Sequence, residues 1–214
     1  LLSIPVLAVV GTSPKQGKFN LQLHIRRKFL EDGYRIEQLG SEPNSLLFGM
    51  DIMYSNGYGA KINLDFKNEI MYLNEQAWAN SIDKEILIVG TQSQTIPYGY
   101  GNIDFYNFGQ LSILCATNPD SFILCVNPSD DINYITRTIN YLESVHEGDV
   151  ICIVIFPFEK NYNYNTEGDI SSRLDDTDLR RISDILVKKL GIPCLINGEK
   201  SDMDRLYEII LDNF

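Results

Sequence analysis

Val9-Val10-Gly11-Thr12-Ser13-Pro14-Lys15-Gln16-Gly17-Lys18-Phe19-Asn20 is the stretch on which the fold turns. An apolar run, Ile4 to Val10, leads into it. A helical pattern, Lys18 to Leu30, leads out, with Leu21, Leu23, Ile25, Phe29 and Leu30 recurring among basic residues and Gly33 placed to stop it. Strand, glycine-bounded turn and helix beginning at Gly-Lys gather three things in one place. They are backbone N–H groups unobstructed by Cβ atoms, the positive end of a helix dipole, and an ammonium able to bridge oxygens. A phosphate group needs all three.

Five residues separate Gly11 from Gly17, so the turn is a long form of the phosphate-binding P-loop, G-T-x-x-x-x-G-K. The spacing predicts a phosphate-bearing ligand held by Gly11, Thr12, Ser13, Lys15, Gln16, Gly17, Lys18, Phe19 and Asn20, with Lys18 as the charge-neutralising group that acts in phosphoryl transfer. The metal side of such a site is depleted. Phe19 stands where a hydroxyl should follow the lysine, and the next residue, Asn20, offers only a neutral amide. The strand Glu85 to Val89 runs into Gly90-Thr91-Gln92-Ser93-Gln94 without a carboxylate. Replacement acids are sought in Glu42 and Asp51, because loops at the carboxyl ends of parallel strands surround the ligand crevice. The solvated-turn reading of each stands beside that one. No metal-binding cluster is assigned.

Outward from the loop, short β-branched runs alternate with amphipathic ones, as in βαβ units around a sheet buried on both faces. Strands are expected at Ile4 to Val10, Arg35 to Leu39, Glu85 to Val89, Ser121 to Val126, Val150 to Phe156 and Pro193 to Ile196. Further helices are expected at about Leu64 to Asn80, Asp130 to Val145, Thr177 to Leu190 and Ser201 to Leu211. The fold class is a three-layer α/β, P-loop NTPase-like architecture with a mostly parallel central sheet. Gly40 to Ala60 and Gly90 to Phe108 are long for connections, which favours a functional use. Asn161 to Ser172 reads as a mobile surface loop. Asp175, Asp176 and Asp178 suit a helix start, and Arg26-Arg27-Lys28 suits a solvated helix face. Asn127-Pro128 and Asn197-Gly198 end two late strands, where they either read a base edge or simply form turns.

The chain has 214 residues, 44% of them apolar. Its 18 Lys and Arg against 29 Asp and Glu give a net charge of −11. That field repels phosphate backbones and anionic lipid, so nucleic-acid and membrane-surface roles are not expected. No apolar run approaches the roughly 20 residues needed to span a bilayer, and a cytoplasmic location is expected. Cys115, Cys125, Cys152 and Cys194 lie in apolar segments without a C-x-x-C pair, as reduced core residues would. His24 and His146 are the only histidines, and neither has partners at metal or triad spacing.

The long loop form resembles those of dethiobiotin synthetase and related amide-forming and metallochaperone NTPases. Several segments together resemble the family catalogued as domain of unknown function 1611, relatives of D-glutamate N-acetyltransferase with a P-loop-like carboxyl-terminal domain. Gly11-Thr12 to Gly17-Lys18 is similar to its G-T-D-x-x-x-G-K segment, with Asn20 in place of a threonine. Gly40-Ser41-Glu42 lies where that family has a second glycine-rich loop, and Gly90-Thr91-Gln92-Ser93-Gln94 with Pro97-Tyr98 is similar to its E-G-Q-G-S segment and the His-Pro-Ala-Tyr beyond it. Asn118-Pro119-Asp120-Ser121 to Cys125-Val126-Asn127-Pro128 is similar to its S-x-P-D entry and C-H-x-P exit. Gly90 replaces a glutamate and Ile96 a histidine of the pattern. The chain also looks like a divergent branch of clostridial peptide-maturation proteins. By that layout residues 1–214 form a single domain, the carboxyl-terminal part of a longer protein.

Three functions are open. One is an ATP- or GTP-binding protein of a biosynthetic or peptide-maturation pathway, with or without Mg²⁺. The resemblance implies another, a coenzyme A-dependent N-acyltransferase, in which the same loop holds the phosphates of coenzyme A and Gln92, Tyr98 and Asn127 line the acceptor pocket; across the readings Asn127 is counted with the cofactor-binding residues and Glu42, Gln92 and Tyr98 with the substrate-binding ones. The third is a non-catalytic scaffold presenting the aromatic loop Tyr98 to Phe108 to a peptide or protein partner, a homo-oligomer included.

Overall fold

A computed structural model describes residues 2–54, 65–99, 101, 106–160 and 170–214. The strands are β1 (Val6–Gly11), β2 (Ile36–Gly40), β3 (Ile52–Met53), β4 (Ile86–Gly90), β5 (Ser121–Val126), β6 (Asp149–Ile155), β7 (Phe158–Lys160), β8 (Ile170–Arg173) and β9 (Cys194–Ile196). Seven of them form one sheet in the order β3-β2-β4-β1-β5-β6-β9. Every pairing in this sheet is parallel among the described residues. A separate antiparallel pair, β7 with β8, follows β6.

The helices are α1 (Lys18–Glu31), α2 (Phe66–Asn80), α3 (Phe108–Thr117), α4 (Ile132–Val145), α5 (Asp176–Leu190) and α6 (Lys200–Asp212). Strand alternation sorts them into layers. Val6, Ala8 and Val10 of β1 pack with Leu73 of α2, Ile113 of α3, Ile135 of α4 and Leu179 of α5. Leu7 and Val9 pack on the other side with Leu21 and Ile25 of α1 and Leu206 and Ile210 of α6. Residues apolar on both faces of every central strand are what a sheet covered on both sides requires. The expected three-layer, P-loop NTPase-like α/β fold is therefore the observed one, with β1 in the middle and Gly11 at its carboxyl end.

Differences from the sequence reading are local. Within Gly40 to Ala60, Ser45–Phe48 forms a 3-10 turn and Ile52–Met53 a short edge strand. The Gly90 to Phe108 excursion ends in α3, which periodicity did not flag. Residues 55–64, 100, 102–105 and 161–169, which carry parts of all three predicted excursions, lie outside the described residues. Arg26 is a correction: it is not merely solvated, because its guanidinium donates to the Gly49 carbonyl at 2.6 Å and to Gln38 Oε1 at 3.3 Å, clasping the β2–β3 connection onto α1. Cys115 is a second correction, being exposed on α3, whereas Cys125, Cys152 and Cys194 are buried as expected; all four thiols are free. On α2, Met71 and Trp78 are exposed apolar side chains, Trp78 59% exposed, and Ile82 in the turn that follows is exposed as well.

Candidate phosphate-binding site

Gly11 ends β1, and the chain then wraps through residues 12–17 to start α1 at Lys18. The wrap needs a left-handed residue at the helix start, and Gly17 supplies it at φ +73°, where an added Cβ would also meet Asn197 Nδ2 at 2.9 Å. Lys15, at φ 57°, takes a left-handed backbone without being glycine, as does Ser93 at φ 60° across the cleft. Strain of this kind persists where surrounding structure enforces it, and it clusters at ligand sites.

Inside the loop, the side chain of Gln16 folds back. Its Oε1 accepts from the Ser13 N–H at 3.0 Å and its Nε2 donates to Thr12 Oγ1 at 2.7 Å. Lys18 is 6% exposed, and its ammonium donates to the carbonyls of Ser13 at 2.8 Å and Ser93 at 3.0 Å. Burial pulls its pKa down to about 8, against the opposing influence of Cys125 and Glu42. The Cys125 thiol is itself pushed up to about 12 by burial, so near neutrality it is uncharged and lends Lys18 no counter-charge. An anion entering the loop would relieve Lys18 of that cost.

A second layer braces the loop. The Thr12 hydroxyl donates to Asp130, which also accepts from the Asn127 N–H at 2.8 Å, and Asn127 Nδ2 donates to Ser13 Oγ at 3.0 Å. Tyr134 on α4 donates its hydroxyl to the Thr12 carbonyl at 2.6 Å and is close to the Ile96 carbonyl at 2.8 Å. From the β4 side, Thr95 donates through both its N–H and its hydroxyl to the Gly11 carbonyl, at 2.8 and 3.0 Å. The segment after β4 is thus latched onto the loop, and Gln92 Nε2 ties it to the Ser41 carbonyl at 2.8 Å.

The resulting cleft has a volume of about 200 Å³ and lies between Pro14 to Asn20 on one side and Ser41, Glu42 and Thr91 to Ser93 on the other. Lys15, Gln16, Gly17, Lys18, Phe19 and Asn20 meet Glu42 and Gln92 there. Other residues assigned from sequence are not cleft-lining. Gly11, Thr12 and Ser13 are buried in the loop and do not line the cleft. Asn127 backs the loop through Ser13. Tyr98 is turned away, its ring edge-on to Tyr134 at 5.1 Å and its carbonyl accepting from Arg137 at 2.9 Å. Asp51 is engaged elsewhere, accepting from the Gln38 N–H at 2.9 Å and paired with Lys84 at 3.3 Å. Gln22, buried on α1 and lining the cleft, was missed. Its spacing of four from Lys18 places it on the same helix face, which was the available signal.

No family model matches the chain, and no curated protein matches it. Solved structures do. A duf1611 family protein from Anabaena variabilis superimposes with TM-score 0.72 at 13% identity, over 99% of this chain and 58% of that one, so the chain spans less than two thirds of that protein's length. A nucleotide-binding protein from Archaeoglobus fulgidus in complex with ADP gives TM-score 0.51 at 12% identity, over 95% of this chain and 85% of that one. An McdA–ATP complex from Cyanothece gives TM-score 0.52 at 11% identity, over 98% and 89%. At such identities the likeness is one of fold, and that fold is the P-loop NTPase-like α/β sandwich that Gly11 to Lys18 and the parallel sheet already describe.

Proposed function

We propose that the chain binds a nucleotide, ATP or GTP, through its phosphates at Gly11 to Asn20, with Lys18 as the principal counter-charge. The observation that carries this reading is the oxygen already seated in the loop. Gln16 Oε1 occupies the Ser13 N–H inside a wrap that has Lys18 buried at its edge. A loop that folds round its own side-chain oxygen is preorganised for a phosphate oxygen in the same place. Solved relatives in fold that carry ADP and ATP support the choice of a nucleotide. The resemblance to the domain of unknown function 1611 supports a further part of the reading, that residues 1–214 act as one domain of a longer protein; the resemblance to clostridial peptide-maturation proteins supports a biosynthetic or peptide-maturation pathway, and the lack of a helix long and apolar enough to cross a membrane among the described residues is compatible with a cytoplasmic one. The first of these resemblances also keeps coenzyme A as the competing ligand.

The test is a thermal-shift and calorimetric comparison of ATP, GTP, ADP and coenzyme A on this chain and on Lys18→Ala. A ligand at one hundred times its dissociation constant stabilises the native state by about 2.7 kcal/mol. The expected result is a shift with ATP or GTP that Lys18→Ala abolishes. A shift with coenzyme A alone would replace the nucleotide reading with the acyltransferase one.

A further inference from the structure

In P-loop proteins Mg²⁺ is held by a hydroxyl directly after the lysine and oriented by a carboxylate from a neighbouring strand. Phe19 occupies the first of these positions, its ring edge-on to Phe48 with centroids 5.2 Å apart. At the second, β4 ends in Gly90, and the room a side chain would take is already filled. A Cβ added there would stand 2.1 Å from Gln22 Oε1, 2.7 Å from its Cδ and 2.8 Å from its Nε2. The amide of Gln22 therefore lies flat over the place from which a carboxylate would reach the loop. Gln22 is 2% exposed, lines the cleft, and its Oε1 has no hydrogen-bond partner among the described residues.

Among the described residues, Glu42 is the one carboxylate that lines the cleft. Among the described residues no group of three or more His, Cys, Asp or Glu side chains is placed to hold a metal ion. Mg²⁺ demands near-octahedral oxygen ligation and is usually anchored by carboxylates. At the two positions that hold and orient the cation in P-loop proteins stand a ring and a neutral amide, and that pair does not fit it.

Building on the phosphate reading above, we infer that the cleft takes its phosphate-bearing ligand without a divalent cation, and that Gln22 is the positioning residue in place of the metal-orienting carboxylate. The two features belong together. A second carboxylate at the position of Gln22, added to Glu42, would repel phosphate further unless a cation intervened, whereas the amide is neutral and still offers an acceptor oxygen for an O–H or N–H of the ligand or its water. Lys18 and the loop N–H groups then supply the positive counterpart, and the missing Cβ of Gly90 leaves the room that the Gln22 amide fills.

The test is calorimetric titration of ATP into the native chain, once with excess Mg²⁺ and once with EDTA. Affinity in EDTA is expected to equal or exceed that in Mg²⁺. A loss of about tenfold or more on removing the cation overturns the inference. A second arm uses Gln22→Glu, its folding checked by circular dichroism. The variant is expected to lose about tenfold in ATP affinity in EDTA and to recover it with Mg²⁺. A folded variant that binds like the native chain in both conditions overturns the role of Gln22, and should the variant not fold, the native titration decides alone. No binding of ATP, GTP or coenzyme A in either condition removes the phosphate reading and this inference together, whereas binding that requires the cation overturns the inference only.

Discussion

Glu37, on β2, is fully buried, and neither of its carboxylate oxygens has a hydrogen-bond partner among the described residues. Burial, helped by the charge of Asp51 and opposed by Lys84, raises its pKa from the ordinary 4.5 to about 8. A folded-state pKa raised above the unfolded one means that the protonated acid stabilises the fold below pH 4.5 and that this contribution is lost as pH climbs to about 8. Glu37→Gln keeps the shape without the titration. Relative to the native chain it is expected to gain stability across that window, by an amount on the order of a few kcal/mol at pH 8.5 and little at pH 4. Urea midpoints at the two pH values check this, and equal gains at both would contradict it. Such a residue is invisible in a linear reading, since Ile36-Glu37-Gln38 looks like an ordinary polar alternation at a sheet edge. The loop residues Gly11 to Asn20 were legible because their geometry is local. Gln16 folding inward and Gln22 lying over Gly90 depend on what the fold brings alongside, and Tyr98 turned toward α4 for the same reason.

Elements with their own start signals were the easiest to read. α5 runs Asp176–Leu190, one residue from the expected start, because Asp175 caps it by accepting from the Asp178 N–H at 2.8 Å and Lys188 and Lys189 suit its negative end. Asp175→Ala is expected to cost about 1 kcal/mol, seen as a fall in Tm of roughly 2–4 °C. A Tm within a degree of native would mean that the cap adds nothing beyond the rest of the helix. The element that escaped, α3, is apolar around much of its circumference: Ile113, Leu114 and Ala116 are buried, and Ser112 and Thr117 return their hydroxyls to backbone carbonyls one turn back. A helix covered on most sides lacks the 3.6-residue contrast on which recognition depends. Its cap, Asn107 accepting from the Gln110 N–H at 3.0 Å, was the only local mark.

For the whole molecule, layer count and parallel pairing follow from the alternation of apolar runs, but the strand order does not. β4 inserts between β2 and β1, and β1 lies beside β5; that arrangement is what carries Glu42, Gln92 and Asn127 to one edge around Gly11. The opposite edge has a different character. Trp78 is the chain's only tryptophan, and it stands on the end of α2 that leads toward the start of β4, away from the cleft. Its exposure makes the molecule its own optical reporter for that face. The native chain is expected to emit at the long wavelength of water-exposed indole and to be quenched readily by iodide. Ligands entering the cleft should leave this emission unmoved, whereas a partner or a second copy seated on α2 should shift it to the blue and shield it. A blue, iodide-resistant spectrum from the dilute native chain would mean that Trp78 and the apolar surface beside it are already covered in solution.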